Sequence, residues 1–145
     1  MKALIQRVAE GRVHIDGNVA GEIGRGIVLL LGVDRDDDAR TADRLLERVL
    51  GYRIFGDEAG HMNLSLTDVG GELLVVSQFT LSANTRKGTR PSFSSAAPPA
   101  DARALYEHFV ERARELLGSV ATGEFGADMR VDIVNDGPVT FLLEV

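Results

Sequence analysis

Ser77-Gln78-Phe79-Thr80 sets two hydroxyls and an amide at the end of the strongest strand pattern in the chain, Gly71 to Leu81. A hydroxyl there could act as a nucleophile, but only with a base within hydrogen-bond reach. No sequence position suggests a base for Thr80. The histidines, His14, His61 and His108, lack metal-ligand spacing and read as structural or surface residues. No phosphate-binding or dinucleotide glycine pattern occurs. With no cysteine, disulfides and thiolate metal sites are excluded. Neither a cofactor nor a metal is expected. The plain alternative is a strand leaving the core, with Phe79 and Thr80 present for β propensity; on a strand, Ser77 and Phe79 would face one way, Gln78 and Thr80 the other.

Two further features could do chemistry. Gly137-Pro138 precedes a last apolar run, Val139 to Leu143, and its simplest reading is a turn into a final strand. Residues 82–99 form a long loop holding Arg86, Lys87 and Arg90 and no acid. That segment carries +3 and leaves -9 on the rest of a chain whose net charge is -6. A basic loop on an acidic body suits a small anionic contact and argues against bulk binding of a nucleic-acid duplex.

The elements that must position these residues follow from periodicity. At 145 residues, with 44% hydrophobic and 26% charged content, the chain fits one domain with a full core. Arg12 to Ile15 alternates, Asp16-Gly17-Asn18 is a turn, and Val19 to Ile23 resumes the strand. Gly26 to Val33 is a continuous apolar run, expected as a buried central strand. The acids Asp36-Asp37-Asp38 read as a helix start, with Ala39, Ala42, Leu45, Leu46 and Val49 as its apolar stripe and Gly51 as its stop. Tyr52 to Phe55 is β-like and residues 56–63 a loop. Pro98 or Pro99 opens a second helix with a stripe of Ala102, Leu105, Phe109, Ala113 and Leu116. Met129 to Ile133 alternates as a strand. The expected fold class is therefore α+β, a single domain over residues 1–145. Its two helices cover a largely antiparallel sheet. No apolar stretch reaches the roughly 20 residues that span a bilayer, and polar residues interrupt the first dozen too soon for a signal peptide. A cytoplasmic protein is expected.

Together, "SQFTL" (Ser77 to Leu81), "TRKGTRPSF" (Thr85 to Phe93), "FGADMRV" (Phe125 to Val131) and "NDGPVT" (Asn135 to Thr140) resemble the D-aminoacyl-tRNA deacylases. The resemblance covers essentially the whole chain. Val139 after Gly-Pro is similar to the D-specific branch rather than to the related animal deacylases, where a Tyr usually follows. The resemblance implies a homodimer with a barrel-like core. It implies hydrolysis of the ester between a D-amino acid and the 3′-terminal adenosine of tRNA, with DNA and membranes outside its partners. It implies that Gly137-Pro138 is cis and enters the partner subunit's site beside Ser77, Gln78, Phe79 and Thr80. The backbone there would form a rigid wall that excludes L side chains but could not exclude glycine, so glycyl-tRNA is an expected substrate too. The terminal ribose 2′-hydroxyl would activate the attacking water, and Arg86, Lys87 and Arg90 would contact tRNA. Two other readings stand beside this one: a conventional Ser/Thr esterase of small D-amino-acid esters, and a non-catalytic tRNA-binding dimer.

Overall fold

The computed structural model describes all 145 residues. The strands are β1 (Lys2–Ile15), β2 (Asn18–Ile23), β3 (Gly26–Gly32), β4 (Phe55–Gly56), β5 (Met62–Leu64), β6 (Glu72–Ser77), β7 (Ala121–Thr122) and β8 (Arg130–Glu144). The helices are α1 (Ala39–Gly51), the four-residue α2 (Leu66–Val69) and α3 (Pro99–Leu117). The long strand β1 organises the sheet. On one side its first half pairs with β3 and its second half with β2; on the other it pairs with β8 along its length, all antiparallel. β3 then pairs with β6, and β6 with β7, in parallel, so the sheet is mixed. It nearly closes into a barrel where β2 meets β7. A Cβ on Gly21 would stand 2.5 Å from the Thr122 carbonyl oxygen, so only glycine lets the two backbones approach this closely.

The apolar runs of β3 and β6 are continuous because both faces are covered. Ile27, Leu29, Leu31, Leu73 and Val75 face the helices, while Val28, Leu74 and Val76 fill the barrel with Val8, Val13 and Ile23. Asp38 caps α1, accepting from the Thr41 N–H at 2.8 Å. This helix buries Ala42, Leu45, Leu46, Val49 and Leu50, and Ala39 stays exposed. Pro99 stands at the first position of α3, where a missing N–H removes no hydrogen bond. The buried face of α3 is Ala102, Tyr106, Phe109, Val110 and Ala113. Leu105 is half-buried and Leu116 exposed, so the stripe expected from sequence is rotated toward Tyr106 and Val110. The β-like stretch near Tyr52 contributes only Phe55 to a strand, where it pairs with Leu64, and Gly56 and Met62, expected in a loop, pair with each other. No helix is long and apolar enough to cross a membrane.

Two expectations fail in ways that matter for the site. The strand expected over Gly71 to Leu81 ends at Ser77, and Phe79–Ser82 is a single 3₁₀ turn. The two strands expected at Met129–Ile133 and Val139–Leu143 are one strand, β8, with Gly137-Pro138 inside it.

Candidate active site

β6 ends where its support ends. β7 pairs only with Leu74 and Val75, and the last residue paired to β3 is Ser77, opposite Leu31. Gln78 donates its N–H to the Leu31 carbonyl at 2.8 Å and leaves the strand at φ -142°, ψ 82°. Ser77 and Phe79 therefore do not share one face of a strand, as the sequence pattern implied. The turn presents Ser77, Gln78 and Phe79 to a cavity of about 480 Å³. Val76, Ala102, Tyr106, Phe125 and Met129 supply apolar wall, and Gly126, Ala127 and Asp128 close it. Tyr106 donates its hydroxyl to the Val75 carbonyl at 3.2 Å. Burial pushes its phenol further above the usual value near 10, and it remains a neutral donor.

Thr80 follows on the exposed rim, and the Gln78 side-chain amide donates to its hydroxyl. No histidine lines the cavity. His14 is held by Asp132 at 2.7 Å and His108 by Asp43 at 2.8 Å, both elsewhere on the surface. The site thus holds polar groups, the Asp128 carboxylate and an apolar wall, and the hydrogen-bond partner of the Thr80 hydroxyl is an amide rather than a base.

Gly137 and Pro138 lie in a bulge of β8. In the ladder with β1, Gln6 faces Thr140 and Val8 faces Asn135, so Asp136 to Val139 stand opposite the single residue Arg7. The motif closes its own base. The Val139 N–H donates to the Asn135 side-chain oxygen at 3.2 Å, and the Asn135 amide donates to the Thr140 hydroxyl at 3.0 Å. The Arg7 guanidinium spans the bulge, donating to the Asp136 carbonyl at 3.1 Å and to the Ile54 carbonyl at 2.7 Å. The Gly137-Pro138 peptide is cis. Gly137 has φ +128°, and a Cβ on it would stand 2.8 Å from Val139 Cγ2. Glycine is required here by the chain's own backbone, before any substrate is considered.

Within one chain the structure does not bring these two motifs together. Gly137 and Pro138 line a second cavity, with Arg7, Arg25, Phe55 and Met62, that shares no residue with the first. Arg86, Lys87 and Arg90 line neither; all three are exposed on the loop beyond the 3₁₀ turn.

The family profile described as D-Tyr-tRNA(Tyr) deacylase matches residues 4–144. The chain belongs to this deacylase family. It is 61% identical over 145 residues to a D-aminoacyl-tRNA deacylase of Pseudoalteromonas translucida (strain TAC 125), covering 100% of both chains. Among solved structures it is similar to one titled c-Myc DNA Unwinding Element Binding Protein, with a TM-score of 0.95, 40% identity and coverage of 100% of this chain and 99% of that one. A probable eukaryotic D-amino acid tRNA deacylase shares the fold, with a TM-score of 0.87 at 18% identity, covering 99% and 98% of the two chains.

Sequence reasoning missed Arg7, which spans the Gly137-Pro138 bulge, and Tyr106 and Phe125, which wall the first cavity. Arg7 left a signal: Ala3 and Ile5 alternate inward on β1, and a cation occupies the next inward position. Tyr106 and Phe125 left none, because an aromatic on a helix face or beside a glycine looks like ordinary core.

Proposed function

We propose that the chain is a homodimeric hydrolase that cleaves the ester between a D-amino acid and the 3′-terminal adenosine of tRNA, releasing free D-amino acid and tRNA. The observation that carries this reading is the end-to-end similarity, at 61% identity, to a D-aminoacyl-tRNA deacylase. The geometry adds support. An apolar cavity walled by Tyr106 and Phe125 suits a purine nucleoside, and the Ser77–Thr80 turn at its rim suits the ester.

The chirality filter on this reading is Gly137-Pro138 of the partner subunit. β8 pairs only with β1, so its outer edge is open, and Val134 and Leu142 on it are exposed. A long open edge with apolar side chains favours pairing with a second copy. Such a dimer carries the bulge of one chain toward the first cavity of the other, which accounts for the separation of the two motifs within a chain. The rigid bulge blocks an L side chain, leaves a D side chain free and cannot reject glycine, so glycyl-tRNA is also hydrolysed.

Chemistry proceeds with little help from side chains. Water attacks the ester carbonyl carbon, the terminal ribose 2′-hydroxyl acting as its activator, and the bond to the 3′-oxygen breaks as that oxygen gains a proton. Backbone N–H groups at Phe79 and Thr80, with the Gln78 amide, stabilise the oxyanion, and Thr80 serves position only. Duplex DNA is not a partner on this reading: the net charge is -6, and the basic, acid-free surface is confined to one loop carrying +3.

The test is hydrolysis of D-aminoacyl-tRNA against the same tRNA ending in 2′-deoxyadenosine. The deoxy substrate is expected to react about 10²–10⁴-fold more slowly, the usual worth of a positioned acid–base group. Equal rates would return the activating role to the protein.

A further inference from the structure

Phe79 and Phe93 are 61% and 41% exposed, yet their rings pack on each other with centroids 5.2 Å apart and planes at 45°. Two phenyl rings held together in water are a large apolar surface without a cover. Phe79 lines the first cavity and also meets Phe93, so the pair continues the cavity outward. Phe93 belongs to the loop that carries Arg86, Lys87 and Arg90 and no acid. That loop is fixed at its base rather than loose. Asn84 and Ser92 exchange both backbone hydrogen bonds, at 2.7 and 3.1 Å, and the Ser95 hydroxyl donates to the Ser82 carbonyl at 2.5 Å. Phe93 is the residue next to that bridge, so its ring stands on the fixed part and the cations on the projecting tip.

Exposed aromatics beside a cationic strip are the two components with which proteins hold single-stranded nucleic acid: bases stack on the rings and phosphates meet the cations. A duplex cannot use such a pair, because its bases are already stacked. We propose that the Phe79–Phe93 pair is a stacking platform for the unpaired nucleotide immediately 5′ of the terminal adenosine, with Arg86, Lys87 and Arg90 on the adjoining phosphates. The inference rests on the deacylase reading for its orientation: the terminal nucleoside enters the cavity, and the next base reaches the ring pair at its mouth.

The experiment uses the full chain carrying Phe93→Leu, which keeps apolar bulk, and Phe93→Tyr, which keeps the aromatic face. Each is assayed on D-aminoacyl-tRNA and on the minimal ester, 3′-O-(D-aminoacyl)adenosine. Phe93→Leu is expected to raise KM for the charged tRNA about 5- to 150-fold, the range for losing one base–aromatic stack, with kcat unchanged. Hydrolysis of the minimal ester stays at the wild-type rate, and Phe93→Tyr behaves as wild type on both. A second measurement needs no turnover. Affinity for an uncharged acceptor-stem minihelix is compared with that for the same RNA carrying an abasic residue at the penultimate position. Wild type should lose affinity over the same range, and Phe93→Leu should be indifferent to the abasic change. Equal loss on both esters, or wild-type sensitivity to the abasic change in Phe93→Leu, would overturn the platform. A wild-type protein that hydrolyses neither ester but keeps the abasic sensitivity would remove the deacylase reading and leave the platform standing.

Discussion

Arg7 Nη2 lies 3.0 Å from the point where a Cβ on Gly137 would stand, and the same guanidinium ties the Asp136 carbonyl to Ile54. The cation and the missing side chain fit each other across the bulge of β8. Gly137→Ala must therefore place a methyl against Arg7 and Val139 at φ +128°, a region almost confined to glycine that costs other residues roughly 1–3 kcal/mol. We expect a fall of about that size in unfolding free energy, read by urea titration, and a loss of at least 10-fold in deacylation of D-aminoacyl-tRNA. A fully active and fully stable variant would contradict the fit.

Thr80→Ala should leave substantial activity. Its hydroxyl receives the Gln78 amide and is hydrogen-bonded to no base that could make it a nucleophile. Single-turnover deacylation should fall by far less than about 10⁴-fold. Capture of an acyl group on Thr80 would overturn the assignment.

The three cations of the loop are exposed and free of salt bridges, and so are available for phosphate. If all three engage single-stranded RNA, log affinity falls with log salt concentration at a slope of about -2, from roughly -0.7 per contact. The variant replacing Arg86, Lys87 and Arg90 by alanine should lose most of that slope. An unchanged slope would take the loop out of RNA binding.

Asp34 gives the fold a defined acid sensitivity. Burial alone would raise its carboxyl. The Ser82 hydroxyl, the Met1 α-ammonium and the Lys2 ammonium around it outweigh burial and hold it below the usual carboxylate value. A group depressed in the folded state stabilises above its unfolded pKa, near 3.9, and that stability disappears as pH falls through the depressed native value. Asp34→Asn should thus cost on the order of 1 kcal/mol at pH 7 and progressively less as pH falls below about 3.9, measured by urea unfolding at pH 7 and at the acid end. An equal cost at both would show that the charge is not what matters.

The elements of the fold could be read from sequence because their signals are local. β3 and β6 are apolar without a break since both their faces are buried, and Asp38 and Pro99 mark helix starts through their own backbone chemistry. The site was less legible because its shape depends on partners distant in sequence. Ser77 to Thr80 kept the composition of a strand, and only the end of pairing with β3 and β7 shows where the chain turns away. Gly137-Pro138 carried a true turn signal, but antiparallel pairing with β1 on either side holds β8 together and converts the turn into a bulge. Arg7, 130 positions away, fixes that bulge, and no local pattern could connect the two.

Discrimination between the two hands of the amino acid is read by releasing D-tyrosine and L-tyrosine from one and the same tRNA. With equal enzyme, D-tyrosyl-tRNA should be hydrolysed at least 10²-fold faster, with L-tyrosyl-tRNA decaying near its spontaneous rate. Equal enzymatic rates on the two hands would contradict the account.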